Sequence, residues 1–293
     1  MYKELCHIMV CPKCGESLNL IVKKSEGEEI LEGELYCNNH HWHIREGIIN
    51  FESEEQDFAN NWTESYKNNT YKEIDEKILK GTPENLKKLN NETKDYIINT
   101  INNPRNKYIL DVATGRGMLL MELVKYMNPS IHLICTDLSF KVLLYDRLKV
   151  QKINPNLKVS YIACDATNLP IKEKSIDTVI SFYGIANMMD KMEEGLVEAN
   201  RILKEGRLLL NSSFIIKNES LGFKAMEEYL NENNILNCSD NLVESGIIAA
   251  HKKAGFEAVN MKVIGESIGE KCEFDLIPYE GEWFSVVVME CEK

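Results

Sequence analysis

The stretch Tyr108-Ile109-Leu110-Asp111-Val112-Ala113-Thr114-Gly115-Arg116-Gly117 decides the fold. Its apolar start has the character of a buried strand, and its two glycines sit just before an amphipathic segment at 117–127. A glycine-rich turn between strand and helix lets backbone approach a ligand closely, while the helix start offers amides and a positive dipole. Outward from this turn the chain alternates apolar runs with helical patterns, which predicts an α/β domain with a mainly parallel sheet. Seven strands are expected, at 108–112, 131–136, 159–164, 178–182, 207–212, 258–264 and 284–290. Helices are expected at 117–127, 141–152, 193–203 and 242–254, and the last two strands, with no long helix between them, predict an antiparallel hairpin.

Two cofactor classes use such a turn. A dinucleotide fingerprint needs G-x-G-x-x-G, whereas the turn aligned on Gly115 offers Ala113 and Met118 at the outer positions. Asp111 would also repel a pyrophosphate. S-adenosylmethionine carries no phosphate and has an amino group, so it tolerates an acid there. Asp137 ends the second strand and suits a bidentate hydrogen bond to two ribose hydroxyls, with Leu138 beside it for the adenine. Asp165-Ala166 follows the third strand, where the acid can accept from the adenine amine. Ligands of open α/β sheets bind at these carboxyl ends. Tyr183 and Asn187, past the fourth strand, are candidates for lining an acceptor pocket, and no catalytic base can be named.

The N-terminus has a different chemistry. Cys11-Pro12-Lys13-Cys14-Gly15 is a C-x2-C knuckle, and Cys37 follows with His40 and His41 close behind. Zinc takes four N or S ligands in a tetrahedron, and two tight turns joined by a hairpin supply two each. Short strands at 18–22 and 30–36 around Ser25-Glu26-Gly27-Glu28-Glu29 predict that hairpin. The ligands are then Cys11, Cys14, Cys37 and either His40 or His41, since spacing does not choose. The other six of the nine cysteines have no such company, and a disulfide framework is not indicated.

The division that follows is a zinc ribbon at 1–51, connecting or lid helices at 52–104, and a catalytic domain at 105–293. In the connecting region Phe58, Trp62 and Tyr66 recur every four residues and share one helix face, as packing or as a lid. Length and composition agree with a two-part globular protein: 293 residues, 44% hydrophobic and 27% charged. The net charge of −12 speaks against a protein that lives on phosphate backbone, and residues 1–50 hold five bases against eight acids. No apolar run approaches the ~20 residues of a membrane helix, and the first residues lack a signal-peptide pattern. A cytoplasmic location is expected.

Residues 106–215 resemble a class I S-adenosylmethionine-dependent methyltransferase, of the methyltransferase type 11, menaquinone/ubiquinone C-methyltransferase-like branch. The matching stretches are Leu110-Asp111-Val112-Ala113-Thr114-Gly115, Asp137-Leu138-Ser139, Asp165-Ala166-Thr167-Asn168-Leu169-Pro170, Gly184-Ile185-Ala186-Asn187 and the run from Arg201 to Arg207. The resemblance implies a Rossmann-like seven-stranded methyltransferase sheet. It also implies cofactor contacts at Ala113, Thr114, Gly115, Gly117, Asp137, Leu138, Asp165 and Ala166, with Ser181 or Phe182 at the methionine end. Ala113 replaces the first glycine of that pattern, which is tolerable if its φ is negative. Residues 5–51 resemble the zinc modules of tRNA-methyltransferase activators and of rRNA guanine methyltransferases, although a histidine stands at the second knuckle. The expectation is methyl transfer to a small-molecule acceptor. The alternatives are an RNA methyltransferase that grips RNA with the ribbon, or a non-catalytic activator of methyltransferase fold.

Overall fold

The computed structural model describes residues 1–52, 70–236 and 238–293. Phe58, Trp62 and Tyr66 lie outside the described residues. Four strands come first: β1 (Asn19–Glu26), β2 (Glu29–Tyr36), β3 (His41–Arg45) and β4 (Ile48–Asn50). They form an antiparallel meander. Helices α1 (Tyr71–Gly81) and α2 (Glu84–Ile101) follow. Thr70 starts α1 with a capping box: its hydroxyl accepts from the Glu73 amide, and the Glu73 carboxylate accepts from the Thr70 amide at 2.8 Å.

Next comes the alternating region: β5 (Tyr108–Asp111), α3 (Leu120–Tyr126), β6 (His132–Asp137), α4 (Phe140–Ile153), β7 (Val159–Ala163), β8 (Ile176–Phe182), α5 (Met192–Ile202) and β9 (Leu203–Ile216). The chain closes with α6 (Leu221–Glu232), α7 (Glu244–Lys253), β10 (Ala258–Ile268) and β11 (Trp283–Glu292). Periodicity does not predict α6. Gly222 dilutes its helical pattern, and part of its start is secured from far away: the Glu282 carboxylate accepts from the amides of Leu221 and Gly222 at 3.0 and 2.9 Å.

The seven expected strands occur in the order β7-β6-β5-β8-β9-β11-β10, with β7 to β9 parallel and β11 antiparallel to both neighbours. The order reverses at β5, and this switch point opens a crevice at the carboxyl ends. The sheet is larger than the expected seven strands, because β4 pairs in parallel with β7, Ile48 opposite Tyr161 and Asn50 opposite Ala163. Eleven strands therefore form one sheet, and the boundary near residue 51 is crossed by backbone hydrogen bonds.

Strand alternation sorts the core onto two faces. Leu110, Ile134, Ile162 and Val179 pack on one side with Leu5, Met9, Leu18, Leu35 and Ile44 of the N-terminal segment. Ile109, Leu133, Cys135 and Ile180 pack on the other with Ile97, Ile101, Leu120 and Leu123 of the helices. A polar pin reinforces the first face: His132 Nδ1 lies 3.0 Å from Glu4 Oε1, and its Nε2 lies 2.9 Å from Ser160 Oγ. Burial holds His132 down to about 4, so the imidazole is neutral at pH 7.

Candidate active site

The turn after β5 is stitched across the carboxyl ends of its two neighbours. The Val112 amide donates to Ile180 O at 2.9 Å, and the Thr114 amide to Thr136 O at 2.8 Å. The Gly115 amide donates to Asp137 Oδ2 at 3.0 Å, and the other oxygen of that carboxylate accepts from the Ser139 amide at 2.9 Å. Asp137 is thereby fixed at the rim of the turn.

Backbone conformation departs from expectation at Ala113. Its φ is +52°, not negative, so an alanine occupies the left-handed region at a cost of roughly 1–2 kcal/mol. Gly184 opposite helps accommodate it: a Cβ there would come 2.9 Å from Ala113 Cβ and 2.5 Å from Val112 O. Gly115, at φ +59°, faces open space, since an added Cβ would meet only Ala113 O at 3.9 Å. Gly117 is required for another reason: its Cβ would press on Asp146 Oδ1 at 2.8 Å.

The turn lies over a group of acids. Asp111 is buried, and burial together with the Asp146 and Asp137 carboxylates pushes it up to about 8. Its Oδ1 finds no hydrogen-bond partner among the described residues. Burial also raises Asp137, and raises Asp146 to about 7 even though Lys149 lies 3.0 Å from it. Such a cluster favours a cation, which stabilises the ionised carboxylates. Sequence reasoning missed Asp146, which lies on α4 and gives no motif signal. It also missed Asp75 of α1, whose Oδ1 is 2.6 Å from Arg116 Nη1 while its Oδ2 accepts from Tyr145 OH at 2.7 Å.

The remaining candidates divide. Asp165 is exposed, and its Oδ1 accepts from the Thr167 amide and hydroxyl, both at 2.8 Å. Ala166 is buried beside it, and Leu138 is half-buried next to Asp137. Ser181 is fully buried, and its hydroxyl is committed to protein: it donates to Val112 O at 3.1 Å and accepts from the Ile185 amide at 2.8 Å. It ties strand end to turn. Phe182 is half-buried, edge-on to Tyr183 at 4.6 Å. The Tyr183 hydroxyl donates to Asn90 Oδ1 at 2.9 Å, and its ring stacks on Phe214 at 4.7 Å. Asn187 is exposed one turn further on.

In the N-terminal segment, Cys11, Cys14, Cys37 and His40 bring one ligand atom each within 4.8 Å of one another. His40 Nδ1 lies 3.4 Å from Cys11 Sγ and 3.5 Å from Cys37 Sγ, and Cys14 Sγ lies 3.5 Å from Cys37 Sγ. Bonds of about 2.3 Å to sulfur and 2.0–2.1 Å to nitrogen give tetrahedron edges of roughly this size. His41, the other candidate, is not part of the cluster. As the first residue of β3 it sits opposite Tyr36 and stacks on that ring at 5.7 Å.

The model of the ubiE/COQ5 methyltransferase family matches residues 86–233, just over half of the chain. The protein belongs to this family. The match takes in all but the first two residues of α2, the glycine-rich turn, Asp137, Asp165 and Tyr183. Among curated members, the ubiquinone/menaquinone biosynthesis C-methyltransferase UbiE of Pseudomonas paraeruginosa is 30% identical over 121 residues, 41% of this chain and 47% of that protein. The demethylmenaquinone methyltransferase of Bacteroides fragilis is 34% identical over 109 residues, 37% and 44%. The chain thus spans about half the length of the curated relatives it matches. Among solved structures, the MccD protein superposes with a TM-score of 0.51 at 16% identity, covering 69% of this chain and 96% of that one, a likeness of fold alone. The ubiE/COQ5 match begins at residue 86, so residues 1–85, including the Cys/His cluster and Asp75, lie outside it.

Proposed function

We propose that this protein is an S-adenosylmethionine-dependent methyltransferase acting on a small-molecule acceptor. Residues 1–51 then form a zinc ribbon, 52–104 the connecting segment and 105–293 the catalytic domain. The observation that carries the reading is the left-handed Gly115 turn, open on its ligand side, beside Asp137 and the unpartnered Asp111 oxygen. A ligand with an ammonium and a sulfonium suits that acid cluster, and one with a pyrophosphate does not. Family membership supports the same cofactor.

In this reading Asp137 and Leu138 hold the ribose and adenine, Asp165 and Ala166 the adenine edge, and Ala113, Thr114, Gly115 and Gly117 the backbone cradle. The cofactor supplies an electrophilic methyl group on a leaving group that is already good. What the chain must add is alignment and exclusion of water. Phe182 and Tyr183 offer an apolar, rigid wall for an acceptor, with the Tyr183 hydroxyl fixed on Asn90. The quinone-biosynthesis names of the relatives make an aromatic ring the first acceptor class to test.

Zinc on Cys11, Cys14, Cys37 and His40 belongs to the same proposal. The cluster stands on the β4 side of the sheet, while Tyr183 follows β8. Four strand spacings separate β4 from β8, roughly 19 Å. The ribbon therefore flanks the adenine side, on the other side of the switch point from the acceptor wall, which supports a small acceptor over a long RNA held by the ribbon. Among the described residues no helix is long and apolar enough to cross a membrane, and a cytoplasmic enzyme fits this proposal. The test is calorimetric titration with S-adenosylmethionine and S-adenosylhomocysteine, followed by methyl-release assays over an acceptor panel. Failure of the intact protein to bind either ligand would overturn the reading in favour of a non-catalytic role.

A further inference from the structure

The zinc knuckle and the turn proposed to hold the adenine touch each other. Asn168 Nδ2 donates to Pro12 O at 3.1 Å, and Pro12 lies between Cys11 and Cys14. The contact continues along the backbone: the Val10 amide donates to Pro170 O at 3.1 Å, the Lys172 amide to Ile8 O at 2.8 Å, and Met9 bridges Ile171. At the other exit of the ribbon, the Phe51 amide donates to Ala163 O at 2.9 Å, and the Asp165 backbone amide bonds the Glu52 carboxylate. The segment 163–172 is therefore held from both ends of the ribbon.

Its opposite side is held by α5. Glu198 Oε2 accepts from the Leu169 amide at 2.8 Å, and Arg201 donates to Leu169 O and Ile171 O at 2.9 and 2.8 Å. Within the turn, Asp165 to Asn168, the bonds are local, Asn168 N to Asp165 O at 3.1 Å and the two Thr167 bonds to Asp165. Beyond its own bonds, this short piece is supported by Ala166, which is buried in the core, and by the hydrogen bonds to Pro12 and Glu52.

We infer that the metal-bound knuckle positions the adenine turn through the Asn168–Pro12 hydrogen bond, so that zinc occupancy sets affinity for the methyl donor. The inference rests on the function proposed above. Its physical basis is that a metal fixes the Cys11–Cys14 turn, whose backbone without the metal gains many conformations. Pro12 O then no longer presents one position to Asn168, and the ordering of residues 165–168 falls on the ligand itself. Asn168 and Pro12 act as positioning residues, without contact to the reacting atoms. By linkage the effect is reciprocal: a bound ligand that orders the turn tightens the grip on zinc by the same factor.

The experiment titrates S-adenosylhomocysteine into zinc-loaded protein, chelator-stripped protein and protein reloaded with zinc, with circular dichroism on each. The expected result is binding about tenfold or more weaker in the stripped form, restored on reloading, within the range of ordinary coupling factors. Competition for zinc by a chromogenic chelator is run with and without saturating S-adenosylhomocysteine, and the two factors should agree. Should stripping unfold the sheet, Asn168→Leu in zinc-loaded protein carries the test, with one zinc retained and affinity reduced several-fold. Equal affinity in loaded and stripped folded protein, or an unchanged affinity in Asn168→Leu, overturns this inference and leaves the methyltransferase reading standing. Absence of binding in the zinc-loaded wild type overturns both.

Discussion

Arg116 and Asp75, forty-one residues apart, join the glycine-rich turn to helix α1 through an ion pair of 2.6 Å. Arg116 is 7% exposed at its side chain and lies between the two glycines, so a movement of α1 pulls directly on the cradle. Tyr145 and Lys149 share the same carboxylate, at 2.7 and 3.7 Å. Asp75→Ala leaves a mostly buried guanidinium without this partner and should cost about 1–3 kcal/mol of stability. It should also speed dissociation of S-adenosylhomocysteine several-fold. Stopped-flow release rates equal to wild type would separate α1 from the cradle.

Asp137 offers a sharper test of the ribose assignment. Asp137→Ala should lower affinity for S-adenosylmethionine by about 10- to 100-fold, the equivalent of roughly 1.5–3 kcal/mol for hydrogen bonds to a charged acceptor. Part of that loss is structural, because the Gly115 amide also gives up its acceptor. Asp137→Asn keeps the shape and an acceptor oxygen, so it should fall between the two. Calorimetry that finds all three alike would remove this acid from the cofactor site.

Asp111 predicts a pH signature. Its folded value is raised to about 8 from an ordinary 3.8, so at pH 7 the empty site holds a proton that the unfolded chain has released. Because the folded state binds the extra proton, this group destabilises the fold progressively as pH rises from about 4 through 8. A cationic ligand favours the ionised form and expels that proton. Binding of S-adenosylmethionine near pH 7 should release protons, seen as a heat that changes with the ionisation enthalpy of the buffer, and affinity should rise toward pH 9. Heats independent of buffer would contradict this.

His132 gives the opposite sign. Its folded value is lowered to about 4 from 6.5, so its contribution is present above pH 6.5 and is lost as pH falls toward 4. The loss comes from burying the imidazolium, which Glu4 offsets only in part, and His132→Gln should flatten the loss of thermal stability between pH 6.5 and 4.5.

For the metal, His40→Ala should lower zinc content below about half an equivalent, while His41→Ala should leave one zinc per chain. Elemental analysis after gel filtration without chelator reads both. Retention of zinc in His40→Ala with loss in His41→Ala would reverse the assignment.

Much of the fold was legible because it is written locally. The run from Tyr108 to Gly117 contains strand and glycine-rich turn in ten residues, although the helix begins only at Leu120 and not at the expected 117, and Asp137 follows from counting one strand further. Three features escaped because they depend on distant partners. The parallel pairing of β4 with β7 brings together residues more than a hundred positions apart. Asp75 is one acid in an acidic stretch until Arg116 is placed against it. Ala113 looked tolerable on the premise of a negative φ, and nothing in the sequence shows that Gly184 makes room for the left-handed form. His40 and His41 were indistinguishable by spacing, since a single step along the chain separates a ligand from the first residue of a strand.

The way β4 joins the sheet also determines which strand meets solvent at the rim. Without residues 1–51, β7 would be the outermost strand, with all five residues from Val159 to Ala163 buried in the intact chain. An unpaired ladder of that kind is a template for adding another chain. The meander moves the rim to β1, which carries Lys23 and Lys24 and breaks register between Val22 and Ser25. Charged, bulged and largely exposed, β1 is a poor template. The N-terminal segment thus covers an edge open to self-association, and protein lacking residues 1–51 but keeping α1 and α2 should precipitate where the whole chain stays dissolved.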